Sequence, residues 1–167
     1  MSAPISQGRT GAQGPPNAGP GKSPLPEVKY HDNNGKLRPE LLDEEAMQVG
    51  KALADAGLES AQLRRFYGDV LSLRRRFEIR SAGMEPDKQE SVFADILPEF
   101  RMLRAKAFYA NKRNERILPA VMKDFIQRHV NAVKNAKDFL AFCRHFEAVV
   151  AYHYAFAKKE SIRGAAR

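Results

Sequence analysis

Cysteine is nearly missing: Cys143 is the single one in 167 residues. That excludes an intramolecular disulfide framework and any multi-cysteine zinc site. No apolar run approaches the roughly 18–20 residues that a membrane span needs. Met1 to Lys22 lacks the basic-then-apolar order of a signal peptide, so the expected location is the cytoplasm. There is no internal repeat and no Gly-rich phosphate loop. The 4 histidines include no His-x-x-x-His or His-Glu-x-x-His spacing that would hold a metal. Cys143 and His145 are neighbours on one helical segment but point to different sides, so they do not form a nucleophile–base pair. An arginine placed four to six residues before a histidine, the motif of one helical ribonuclease class, does not occur either. The expectation is a chain with no catalytic residues, no cofactor and no metal.

What is present is positive charge, in two compositional halves. The 28 Lys+Arg against 20 Asp+Glu leave +8, which favours solubility and acidic partners such as nucleic acid, though ordinary soluble proteins also carry such a charge. Of the 10 prolines, 7 precede residue 40, and 6 of the 11 glycines share that stretch. Too little apolar surface is present there to offset the entropy of ordering it, so residues 1–37 are expected to be a disordered, mildly basic tail. Residues 38–160 are expected to be one helical domain, and 161–167 a frayed C-terminus.

From Pro39 onward apolar residues recur at i, i+3, i+4, i+7, with little strand-like alternation. A first helix starts at Pro39, with Glu40, Asp43 and Glu44 at its positive end, and stops at Gly57. A second spans about Ser60–Arg80, with Ser60 as N-cap. A third spans about Gln89–Lys112, with a kink expected at Pro98. A fourth covers about Glu115–Val133, with Pro119 in its first turn, and a fifth about Ala136–Lys158. The fold expected is an all-α bundle of about five helices.

Helical phase separates the faces at about 100° per residue. In the second helix Leu63, Phe66, Tyr67, Val70, Leu73 and Phe77 face the core, and Arg64, Arg65, Arg75 and Arg76 fall opposite, around Gly68 and Ser72. Small residues among arginines suit close approach to phosphate, and a solvated arginine face fits the same pattern. Arg74 sits at the edge of the apolar stripe, where it either snorkels or pairs with a carboxylate on a neighbouring helix. The third helix turns Phe93, Ile96, Leu97, Phe100, Leu103 and Ala107 to the core and carries Lys106, Tyr109 and Arg113 on its outer stripe, flanked by Arg101 and Lys112. Cations with an exposed aromatic ring among them suit a nucleic-acid surface. Arg104 lies on the apolar side and needs a partner or a route to solvent. Between Glu99 and Arg116 there are 6 basic and 2 acidic residues, half of the chain's net charge. The fifth helix has an apolar face through Phe139, Phe142, Cys143, Phe146, Val149, Val150 and His153. Opposite it run Ala141, Arg144, Ala148, Ala151 and Ala155, an arrangement expected of a central helix or a subunit contact. His153 and Cys143 read as core residues.

Three stretches taken together resemble a known family. Gln62–Arg75 (QLRRFYGDVLSLRR), Ile96–Arg113 (ILPEFRMLRAKAFYANKR) and Asp138–Phe156 (DFLAFCRHFEAVVAYHYAF) are similar, in order and spacing, to the small subunit of type III-A CRISPR effector complexes, the Csm complexes. The most telling parts run from Leu103 to Tyr109 and from Phe146 to His153. The resemblance implies a non-enzymatic all-α subunit active in antiviral defence. Copies would stack along a filament of backbone subunits and contact the guide RNA–target RNA duplex without reading its sequence, touching the large subunit and one another. It places the family's basic positions on Arg64, Arg65, Arg101, Arg104, Lys106, Arg113 and Arg144. The family's usual glycine before the last arginine of the second stretch is Lys112 here, so the local helix end differs. A helical adaptor that binds acidic protein surfaces, without direct RNA contact, is the competing reading.

Overall fold

The computed structural model describes residues 23–157, in which five α-helices follow a short 3-10 turn at Pro39–Leu42. They are α1 (Glu44–Asp55), α2 (Ser60–Ser81), α3 (Pro86–Arg113), α4 (Ala120–Ala132) and α5 (Ala136–Phe156). Among the described residues there is no β-strand, only an isolated bridge between His31 and Leu37. The all-α bundle expected from periodicity is the fold observed.

Local chemistry sets the helix ends. Gly57, at φ +80°, follows α1, and the Leu58 amide donates back to the Leu53 carbonyl at 3.1 Å, closing the helix with a residue that only glycine adopts freely. Asn135 caps α5 by accepting from the Asp138 amide at 2.8 Å. Ser60, expected as the cap of α2, is instead its first residue, and Glu59 precedes it without a side-chain cap. The fourth helix starts five residues later than expected, because Pro119 disfavours helical geometry at Leu118 and itself stands just outside the helix. The helix of α3 continues through Pro98. Pro98 and Ala94 are both exposed, so the carbonyl deprived of its partner faces water.

Helix α5 is the axis of the packing, lying against α1, α2 and α3. Its Phe139 and Phe142 meet Phe77, Phe93, Phe100 and Phe125 at ring centroid separations of 5.5 to 6.4 Å, mostly edge-on or tilted. Gly50 lets α1 press directly on this axis: a Cβ there would lie 2.7 Å from the His153 backbone nitrogen. The alanine stripe is covered at one end only. Ala141 is buried and Ala148 half-buried, whereas Ala151, Ala155 and Arg144 are exposed.

The boundary of the expected tail needs correction. Residues 1–22 and 158–167 lie outside the described residues, so the expectations for the far N-terminus and for 161–167 fall there. Residues 23–37 are packed onto the bundle, with Leu25 and Tyr30 buried in the core. Ser23 bonds to Asp124, the Leu25 and Pro26 carbonyls accept from Arg128, and Lys137 donates to the Gly35 carbonyl. Asp32 accepts from the amides of Asn34 and Lys36, and Gly35 takes a positive φ, which together fold the segment back on itself. Composition marked this stretch as unable to fold alone. The rest of the bundle supplies the apolar surface it lacks.

Candidate nucleic-acid interface

Helices α2 and α3 run antiparallel and are joined by a ladder of ion pairs. Arg80 pairs with Asp95, Arg76 with Glu99 at 2.7 Å, and Asp69 with Lys106 at 2.8 Å. Descending α2 from Arg80 to Arg76 to Asp69 matches ascending α3 from Asp95 to Glu99 to Lys106, four residues and then seven on each helix. The pairs are solvent-exposed, so each is worth at most about 1 kcal/mol. Their larger consequence is to fix which charges are neutralised.

One step beyond Asp69–Lys106 the ladder ends. The next α2 cation is Arg65, and the next cation on that side of α3 is Arg113. They line a common groove of about 630 Å³ with Lys106, Tyr109 and the α2 residues Gln62, Phe66 and Asp69. Asn111 is buried and donates to the Leu118 carbonyl at 2.9 Å. That bond pins the α3–α4 connection and sets Asn114 and Ile117 at the groove wall. Among the described residues neither Arg65 nor Arg113 is in an ion pair. Tyr109 is 68% exposed.

The remaining candidate residues divide. Arg64, Arg75, Arg101, Lys112 and Arg144 are exposed, but they do not line the groove. Arg75 lies on the flank of α2 near Tyr67, whose ring packs edge-on against Phe146 of α5. Arg76 is engaged by Glu99. Arg104 is half-buried and donates to Asn131 of α4 at 2.8 Å, which supplies the partner its place on the apolar side required. Arg74 pairs with Glu78 at 2.7 Å and reaches Glu147 of α5 at 3.4 Å, the cross-helix pairing its edge position allowed. A Cβ added to Gly68 would meet nothing within 4 Å, so among the described residues no backbone closes on that face.

Similarity to known proteins falls on these same elements. The family model Csm2 Type III-A matches residues 36–159. The chain belongs to the Csm2 type III-A family. It is accordingly a small subunit of a type III-A Csm complex, a multisubunit CRISPR effector. Comparison with curated proteins and with solved structures gives no match. Among the described residues no helix is long and apolar enough to cross a membrane.

Groups suited to nucleophilic or acid–base chemistry lie elsewhere and are engaged. Burial pushes the Cys143 thiol up to about 12. The His145 Nδ1–H donates to the Leu41 carbonyl at 2.6 Å, and the His153 Nε2–H to the Leu58 carbonyl at 2.8 Å. The Tyr30 hydroxyl and Nδ1 of His129 share a hydrogen bond at 2.8 Å. Burial holds all three histidines below their usual range, and the neighbouring His145 and Arg128 add to the effect at His129. No group of three or more possible metal ligands occurs among the described residues. Gln62, Asp69, Asn114 and Ile117 were not among the candidates from the sequence. The α2–α3 register that gathers them is set by long-range packing.

Proposed function

We propose that this subunit binds RNA non-catalytically, through the phosphates and without reading sequence. On this reading several copies lie side by side along the guide RNA–target RNA duplex, in contact with the backbone and large subunits of the complex. The observation that carries it is the end of the ion-pair ladder. Arg65, Lys106 and Arg113 line one groove there with Asp69, whose carboxylate is already paired with Lys106, and the two arginines left unpaired among the described residues favour an anionic partner. Arginine's planar donors match phosphate oxygens, and phosphate contacts position a nucleic acid without specifying its bases. Base pairing between guide and target then supplies specificity, as in other RNA-guided systems.

The test is fluorescence-anisotropy binding of the full chain to labelled single-stranded and duplex RNAs of unrelated sequence over a salt series. Log K should fall linearly with log salt, equally for each sequence, by about 0.7–0.9 per phosphate contact. Arg65→Ala with Arg113→Ala should flatten that slope by roughly 1.4–1.8, two contacts' worth. An unchanged slope and affinity in the double variant would sink the groove assignment. Loss of complex assembly with RNA affinity intact would point to the adaptor reading.

A further inference from the structure

Resting on that RNA-binding reading, we propose that the groove between α2 and α3 is a subsite for a single unpaired nucleotide. Its base lies against Tyr109, and the phosphates on either side are held by Arg65 and Arg113. The shape of the groove argues for this. At about 630 Å³ it falls within the range of small-molecule sites, roughly 300–1,000 Å³, and is far too small to admit a double helix.

Chemistry narrows the occupant further. Phosphate alone needs cations and amides, yet much of this wall is carbon, from Phe66, Ala110, Ile117 and the ring of Tyr109. A nucleobase has the complementary make-up: a flat π face for the aromatic and aliphatic wall, and an edge rich in donors and acceptors. Gln62 from α2 and Asn114 from the end of α3 bring carboxamides to the same groove, and a carboxamide offers both a donor and an acceptor. Carboxamides on rotatable side chains suit any base. In an A-form duplex the bases are stacked and their faces are covered, so only a splayed nucleotide presents its face to a side chain. Asp69 lines the same groove bonded to Lys106, so Arg65 and Arg113 are the cations left to hold phosphate.

The test separates stacking from charge. Binding of the full chain is measured to an unstructured 12-nucleotide RNA and to the perfectly paired duplex of the same sequence, again across salt. Tyr109→Ala should weaken single-strand binding about fivefold or more, the effect of one lost base–aromatic stack. The salt slope should not change, because no phosphate contact is removed. Tyr109→Phe, which keeps the ring, should restore affinity to within about twofold. Duplex binding should be the same in all three proteins. Equal single-strand affinity of wild type and Tyr109→Ala, with the wild-type salt slope present, would overturn the nucleotide subsite and leave phosphate binding standing. An equal loss on the duplex would also overturn it. Absence of any salt-dependent RNA binding by the wild type would overturn the phosphate reading and this subsite with it. Because Tyr109 is exposed, its replacement should leave helicity and melting temperature unchanged, and circular dichroism checks this.

Discussion

Two seams of this bundle treat polar groups in opposite ways. On one side, residues 23–38 cross α4 and α5, and Tyr30, His129 and His145 are enclosed with Phe125 and Phe142. Among the described residues no buried side-chain nitrogen or oxygen there or elsewhere lacks a hydrogen-bond partner. On the other side, α2 and α3 neutralise each other's charges for three steps and then stop, leaving arginines and a tyrosine facing water. A polar group shut away from solvent costs stability unless it is satisfied internally, whereas a solvated one is available to a partner. The first seam holds the fold together. The second is where binding is expected.

Substitutions can break this contrast, the largest effect first. Phe142→Ala removes a ring that touches Phe100, Phe125, His129 and Phe146, so it should cost about 3–5 kcal/mol in chemical denaturation. A loss below about 1 kcal/mol would mean the enclosed seam is loosely packed.

Acid should act on the same seam. His129, His145 and His153 are held neutral by burial, with pKa values below those of the unfolded chain. Between the unfolded value near 6.5 and the lower folded values, the unfolded state binds more protons, so stability must fall as pH falls. Stability from this source is complete above about pH 7. It declines at up to about 1.4 kcal/mol per pH unit for each histidine charged only when unfolded. Melting temperature recorded from pH 7.5 to 5 should drop steadily, and a flat profile would contradict the buried neutral histidines.

Tyr30→Phe is a smaller perturbation. It keeps the ring in the core but leaves Nδ1 of His129 without its hydrogen-bond partner, at a cost of about 1–2 kcal/mol. It also sharpens the corrected boundary: if residues 23–37 were a loose tail, the substitution would not change stability.

The smallest stability effect should come from the other seam. Arg65→Ala with Arg113→Ala should shift stability by no more than about 0.5 kcal/mol, since neither side chain is paired among the described residues. The same double variant should lose RNA affinity. Large destabilisation would show that these arginines serve the fold.

Particular residues show where reading along the chain succeeds. The apolar faces of α2, α3 and α5 follow from period alone: Leu63, Phe66, Val70, Phe100, Leu103, Phe139 and Phe146 are all buried as expected. Tyr109 and Arg113 were legible as an outward stripe for the same reason. Leu25 and Tyr30 were misread because proline and glycine content measures what a segment does alone. Their burial depends on Arg128, His129 and Lys137, about a hundred residues away. The cations were legible as a set of eleven candidates including Tyr109, but not as individuals. Nothing local distinguishes Arg76, paired with Glu99, from Arg65, which is left in the groove.

What the sequence alone determined is therefore the helical class, the core faces, the surplus of positive charge and the family resemblance later shown by the family match. These depend on composition and on a 3.6-residue period, which act within one turn or are summed over the chain. Tertiary structure decided the antiparallel register of α2 against α3, and with it which arginines are neutralised and which share a groove with Tyr109. It also decided that residues 23–37 fold, because only the assembled bundle offers them apolar surface and hydrogen-bond partners. Each is a contact between residues far apart in the chain, whose cost in chain entropy is offset only once the whole core has formed.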